Sequence, residues 1–122
     1  MAGNMGIPFS ERVLNNIKDP KENILYLLEI SSFQLEFIKH FSPDILVYTN
    51  ISPDHLDRHG SMEEYINMKL NALMNMKNEG QIVYNKDDVI LEKVISPFPH
   101  KKQPFSTKSK DVLYKIDNKN IF

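Results

Sequence analysis

Residues 50–60 read Asn-Ile-Ser-Pro-Asp-His-Leu-Asp-Arg-His-Gly. Two acids, two histidines and an arginine stand in what the flanking pattern marks as a single connection, and a polar turn needs no such set. His55 could offer an imidazole nitrogen to a metal ion. It could equally, with Asp54, cap the turn, since aspartate is common there. Lys69 raises a second question. On a helical wheel at about 100° per residue, Met62, Tyr65, Ile66, Met68, Leu70, Ala72, Leu73 and Met76 fill one broad arc, and Lys69 falls near its centre. A lysine there can lay its methylenes on apolar surface and carry its ammonium to water. Desolvation could instead favour the neutral amine, which is a base and can capture carbon dioxide as a carbamate. A carbamate presents anionic oxygen, the donor that hard divalent cations such as magnesium prefer. Glu29 closes an apolar run, so its carboxylate must be paired, metal-bound or near solvent.

These residues need a frame. Pro8 precedes a run in which Phe9, Val13, Leu14 and Ile17 recur at helical spacing, ended by Asp19-Pro20. Residues 23–30 form a nearly continuous apolar run of strand length, which predicts a parallel strand covered on both faces. Residues 31–40 read as helical, with Ser31 and Gln34 placed as a capping box, and Ser42-Pro43 breaks them. Residues 45–48 predict a second buried strand leading into the 50–60 loop. Ser61, with Glu64 three residues on, predicts a capped helix reaching about residue 78 and closed by Glu79-Gly80. Residues 81–85 predict a third strand and 87–95 a short helix. This βαβαβ order implies an α/β fold with a mostly parallel sheet and flanking helices. Glu29, His55 and Lys69 then all belong to the carboxyl edge of that sheet, where such folds keep their ligands. Residues 96–104 read as a turn-rich basic connection in which His100 has no evident partner. Val112, Tyr114 and Ile116 alternate as in a short strand near the C-terminal end.

Composition narrows the classes. With 122 residues, 41% of them hydrophobic and 25% charged, the chain matches an ordinary globular domain with a real core. A formal net charge of −1 gives no electrostatic reason to expect nucleic acid or an anionic membrane as partner. No cysteine is present, which excludes disulfides and thiolate metal sites and fits a reducing compartment. The first residues lack a signal-peptide pattern, and no apolar run approaches the ~20 residues of a membrane span. A cytoplasmic protein is the expectation.

At the same residues the chain resembles the Mur ligases. Glu29-Ile30-Ser31-Ser32-Phe33-Gln34-Leu35-Glu36, the run from Asn50 to Tyr65, and Lys69 look like that family's central, ATP-binding domain. Gly3-Asn4-Met5-Gly6 resembles its short glycine turn, and Asn85-Lys86-Asp87-Asp88 resembles the segment after a later strand. The Ser-Ser-Phe-Gln-Leu-Glu run favours the D-glutamate-adding members. The resemblance implies that ATP phosphorylates the carboxylate of UDP-N-acetylmuramoyl-L-alanine and that the amine of D-glutamate attacks the acyl phosphate. It implies Glu29 as ligand of one magnesium ion, and His55 and a carbamylated Lys69 as ligands of a second. Asn4, Ser31 and Gln34 would contact substrate, and Asn4, Asn85 and Asp88 the nucleotide. His55 and Lys69 would be the residues closest to the chemistry.

No Gly-x-x-x-x-Gly-Lys-Ser/Thr phosphate loop occurs in the sequence. The expectation is therefore that residues 1–122 are part of a central domain, without the phosphate loop, the N-terminal UDP-binding domain or the C-terminal domain. Those missing domains of the same polypeptide would be its partners, and these residues alone would be inactive. Another ligase of the same superfamily, such as a folylpolyglutamate synthase, or a non-catalytic binding module of the same fold would share these features.

Overall fold

The structure is a computed structural model, which describes residues 1–109, 111–112 and 114–115. The chain divides into two compact units, Met1–Phe37 and Ile38–Phe122.

In the first unit, β1 (Ala2–Gly3) pairs in parallel with β2 (Leu28–Glu29), and α1 (Phe9–Lys18) and α2 (Ser32–Glu36) complete the regular structure. Gly3 adopts φ +123, and a Cβ there would stand 2.1 Å from the Glu29 carbonyl oxygen, so only glycine permits the close pairing of the two strands. Helix α1 confirms the apolar spacing of residues 9–17. It ends at Asp19, whose N–H caps the Asn15 carbonyl.

Residues 23–30 depart from the expected buried strand, and β2 pairs with β1 in a sheet of its own, so Glu29 is not on the sheet whose exits lead to His55 and Lys69. Only Leu28–Glu29 has a ladder partner, Ile24 and Leu27 are exposed, and Leu25 is 87% exposed. The two residues of β1 offer too short a template to pair the rest of the run, and Asn23 turns the chain at φ +56. The helix expected over 31–40 is likewise shortened to α2, although its capping box forms.

In the second unit, β3 (Ile45–Tyr48), β4 (Gln81–Asn85), β5 (Lys101–Ser106) and β6 (Tyr114–Lys115) form one all-parallel sheet in that order. The register places Leu46 beside Ile82 and Tyr48 beside Tyr84, so all four share one face. Onto that face pack Tyr65 and Ile66 of α4 (Met62–Leu70), Leu73 and Met76 beyond it, and Leu91 and Ile95 of α5 (Val89–Ile95). Ile82, Leu91 and Ile95 are fully buried. Burying such side chains contributes about 1.5–3 kcal/mol each, which makes this layer the main source of stability in the unit. On the opposite face Ile45 and Val47 remain more than half exposed, so the strand over 45–48 is where the sequence puts it but is covered on one face only.

Three further corrections concern this unit. The 50–60 segment contains a short helix, α3 (Leu56–His59), closed by Gly60 at φ +82. Helix α4 stops at Leu70 and tightens into a 3-10 turn over Asn71–Leu73, short of residue 78. Residues 101–104, expected within a connection, belong to β5 (Lys101–Ser106). Pro104 lies opposite Tyr84 of β4 in this register. The strand expected near residues 112–116 is represented by β6, while Ile116 and the residues after it lie outside the described residues. His100, without a partner in the sequence pattern, is buried, with Nε2 3.4 Å from the Met76 carbonyl oxygen. No described helix is long and apolar enough to cross a membrane.

Candidate functional site

The first unit gathers Asn4, Glu29, Ser31 and Gln34 around the carboxyl end of β2. Positive φ at Gly3 swings the chain so that the Asn4 N–H donates to the Glu29 carbonyl at 2.7 Å and the Asn4 side-chain amide donates to Glu29 Oε1 at 3.2 Å. Glu29 is exposed, as the strand-end reading of its carboxylate requires. One amide does not exhaust a carboxylate, which can accept at both oxygens. Two residues on, the Ser31 hydroxyl accepts from the Gln34 N–H at 3.3 Å and the Gln34 side-chain oxygen accepts from the Ser31 N–H at 2.9 Å. The capping-box account of this pair is therefore realised.

In the second unit the exits of three parallel strands are tied into one network. Asp88, the N-cap of α5, accepts from the N–H groups of Ile90 (2.9 Å) and Leu91 (3.1 Å) at Oδ1, and from the Ile51 N–H (2.7 Å) at Oδ2. Asn85 Oδ1 accepts from the Asp87 N–H at 2.9 Å. Asp87 in turn receives the Ser106 hydroxyl at Oδ1 (2.5 Å) and the N–H (2.8 Å) and hydroxyl (2.9 Å) of Thr107 at Oδ2. Ser106, itself fully buried, accepts from the Lys108 and Ser109 N–H groups. The loops after β3, β4 and β5 are thereby cross-braced.

These bonds favour the ionised form of Asp87. The Ser106 hydroxyl first, then the Thr107 N–H, hold its carboxyl below the usual carboxylate range. A carboxyl depressed in the folded state contributes stability that is fully present above its unfolded value, near pH ~4, and is lost as pH falls through the folded value. Urea melts at a series of pH values should show the gap between wild type and Asp87→Asn closing below about pH 4. A gap that stays constant down to pH 2 would show that the ionised carboxylate is not what the brace needs.

His55 leads into α3 with a left-handed backbone, φ +50. Its carbonyl accepts the N–H groups of Arg58 and His59, both at 3.0 Å, and its Nε2 lies 3.5 Å from Asp54 Oδ2. The side chain is half exposed. His59, four residues later, is buried, with its ring 5.3 Å from that of Tyr65. The two histidines of the motif thus have opposite environments.

Lys69 is half-buried near the end of α4, and its Nζ stands 5.0 Å from the centroid of the Tyr65 ring. Its carbonyl accepts the Tyr48 hydroxyl at 2.9 Å, which ties it to the last residue of β3. Burial pushes the Tyr48 hydroxyl well above its ordinary value, so it remains a donor in this bond. Lys69 therefore belongs to the same sheet edge from which the chain leaves toward His55. Tyr65 escaped the sequence reading as a site element because its helical position explains it fully as core. Asp87 and Ser106 escaped because the brace forms between loops far apart in sequence.

Among the described residues no three histidine, aspartate or glutamate side chains form a ready ligand cage. The donor type of Glu29 in the first unit, and separately that of His55 in the second, suits a hard dication that takes its remaining oxygens from phosphate or from a modified lysine.

The Mur ligase middle domain family model matches residues 10–121. A UDP-N-acetylmuramoylalanine--D-glutamate ligase of Alkaliphilus metalliredigens is 43% identical over 89 residues, covering 73% of this chain and 19% of its own. The enzyme of the same name from Caldanaerobacter subterraneus subsp. tengcongensis is 41% identical over 108 residues, covering 88% of this chain and 23% of its own. The chain thus spans about a fifth of the length of these relatives. A crystal structure of MurF ligase from Thermotoga maritima in complex with ADP superimposes with a TM-score of 0.62 at 23% identity, over 83% of this chain and 25% of that one. That likeness establishes the shared parallel-sheet fold.

Proposed function

The chain belongs to the Mur ligase family through its middle domain, and from that premise we propose that it forms part of an ATP-dependent ligase joining D-glutamate to UDP-N-acetylmuramoyl-L-alanine, a step of peptidoglycan precursor synthesis. In this reaction the γ-phosphoryl group of ATP passes to the alanyl carboxylate, giving ADP and an acyl phosphate. The D-glutamate amine then attacks the acyl carbon, phosphate leaves, and the amine gives up a proton. The observation that carries the proposal is the set of D-glutamate ligases at 41–43% identity, taken with Glu29, His55 and Lys69 at strand exits or on the helix after one. We place the reaction in the cytoplasm and assign the remaining domains of the ligase as the partners of this one.

In this reading Glu29 is a ligand of one magnesium ion, and His55 and a carbamylated Lys69 are ligands of a second. When bound, magnesium supplies positive charge against the transferred phosphoryl group and the acyl phosphate. The chain's own residues do the placing. Asn4 holds one oxygen of Glu29 and presents the glycine turn to substrate or nucleotide, and Ser31 and Gln34 offer polar contacts from an exposed helix start. Asn85 and Asp88 act on the nucleotide side through the loops they brace.

The test is a ligase assay on the full-length protein that carries these residues, with ATP, magnesium and UDP-N-acetylmuramoyl-L-alanine. D-Glutamate should support ADP release and amide formation, while L-glutamate, L-lysine and diaminopimelate should not. Turnover with diaminopimelate in place of D-glutamate would move the protein to another branch of the family.

A further inference from the structure

We propose that Asp88 is a positioning residue for the metal site: its second carboxylate oxygen latches the His55 loop to the start of α5, so that the imidazole is held where a dication is bound. This rests on the reading of His55 as a metal ligand. The geometry divides the two oxygens cleanly. Oδ1 serves the helix, accepting from Ile90 and Leu91, whereas Oδ2 accepts from a backbone group 37 residues earlier, the N–H of Ile51 at 2.7 Å. Ile51 is buried within the core cluster, so without Asp88 its N–H would be cut off from water as well.

The latch has something to hold against. Four residues past Ile51, His55 sits in the left-handed region, a conformation that persists for a non-glycine residue only where the surroundings fix it. From the far side the first turn of α3 fixes it through the bonds of Arg58 and His59 to its carbonyl. Between that turn and β3, the Ile51–Asp88 bond is a cross-link from the loop to another element. Asp87 keeps the latch in register, since Ser106 and Thr107 hold it against the exit of β5 immediately before Asp88. A helix cap alone does not call for a carboxylate: asparagine and serine cap as well. The acid is required because only it offers an acceptor to both sides at once.

Asp88→Asn and Asp88→Ser separate the two duties. Each keeps one oxygen for the cap, and neither leaves an acceptor for Ile51. In the full-length protein, amide hydrogen exchange at Ile51 should accelerate by roughly ten- to a hundredfold in both variants, the scale of one lost hydrogen bond to a charged acceptor, with Ile90 and Leu91 still protected. Manganese, added in place of magnesium, should broaden the NMR signals of the His55 ring in the wild type, and the variants should need several times more of it. Unchanged protection of Ile51 would overturn the latch. Faster exchange at Ile51 with an unchanged manganese titration would overturn its positioning role. A wild type whose His55 signals ignore manganese would instead overturn the metal reading itself, and that result is recognisable without any variant.

Discussion

Replacing Lys69 by alanine should reduce ligase turnover by roughly 10²–10³-fold or more, the scale seen when a group that stabilises transition-state charge is removed. A small carboxylic acid in the buffer should restore part of the rate. An ammonium at the proposed metal site would repel a dication, whereas the carbamate formed when the neutral amine adds carbon dioxide and sheds a proton would attract it. An added carboxylate supplies that anion without the side chain. Structural collapse would be a poor explanation for the loss. Lys69 is held to β3 by its backbone carbonyl, which the Tyr48 hydroxyl would still reach in alanine. The side chain's contact with Tyr65 is a cation–π pair at 5.0 Å, whose removal costs about 0.5–1 kcal/mol at a half-exposed site. Lys69→Arg is the decisive control. The guanidinium can keep the contact with Tyr65 and cannot become a carbamate, so its activity should stay as low as that of alanine. Full activity in Lys69→Arg would mean that a positive charge suffices.

Much of the scaffold was legible because its signals are local. Residues 9–17 carry their apolar groups at helical spacing and form α1, the short apolar run within 81–85 forms β4, and Ser31 with Gln34 announces a cap that the structure closes with two reciprocal bonds. Where prediction failed, the deciding partner lay far along the chain. The apolar run over 23–30 looks like a buried strand, yet strand formation needs a ladder, and among the described residues Ala2–Gly3 alone provides one. Residues 101–104 look like a connection because Pro104 and two lysines argue against a strand, yet β4 offers a complete edge and recruits them. For the same reason the environment of Lys69 was half readable. The helical wheel put it among apolar residues, and Tyr65, one turn earlier, turned out to give its ammonium a place to rest. No local pattern in residues 85–88 or 105–109 could announce that Asp87 and Asp88 would join three loops, because that depends on the parallel order β3-β4-β5.

The two histidines of the 50–60 segment should respond to substitution in opposite ways. His55→Asn should leave thermal stability unchanged or slightly raised while abolishing metal-dependent turnover. Left-handed backbone costs about 1–2 kcal/mol for an ordinary L-residue, and asparagine visits that region more readily than most. The half-exposed imidazole of His55 adds little burial to offset the strain. His59→Ala should do the reverse to stability, lowering it by about 1–3 kcal/mol, because the ring is 92% removed from solvent and packs against Tyr65, leaving a void in the core when deleted. Melting curves and turnover on the same two proteins separate the cases. A large drop in melting temperature for His55→Asn would make its imidazole a structural strut. Full turnover in that variant would remove it from the metal site, and the strain at φ +50 would then need another explanation. The expected pattern, stability kept and activity lost at His55, is what a residue that serves the placement of a ligand atom should show, because strained backbone persists where a site requires it.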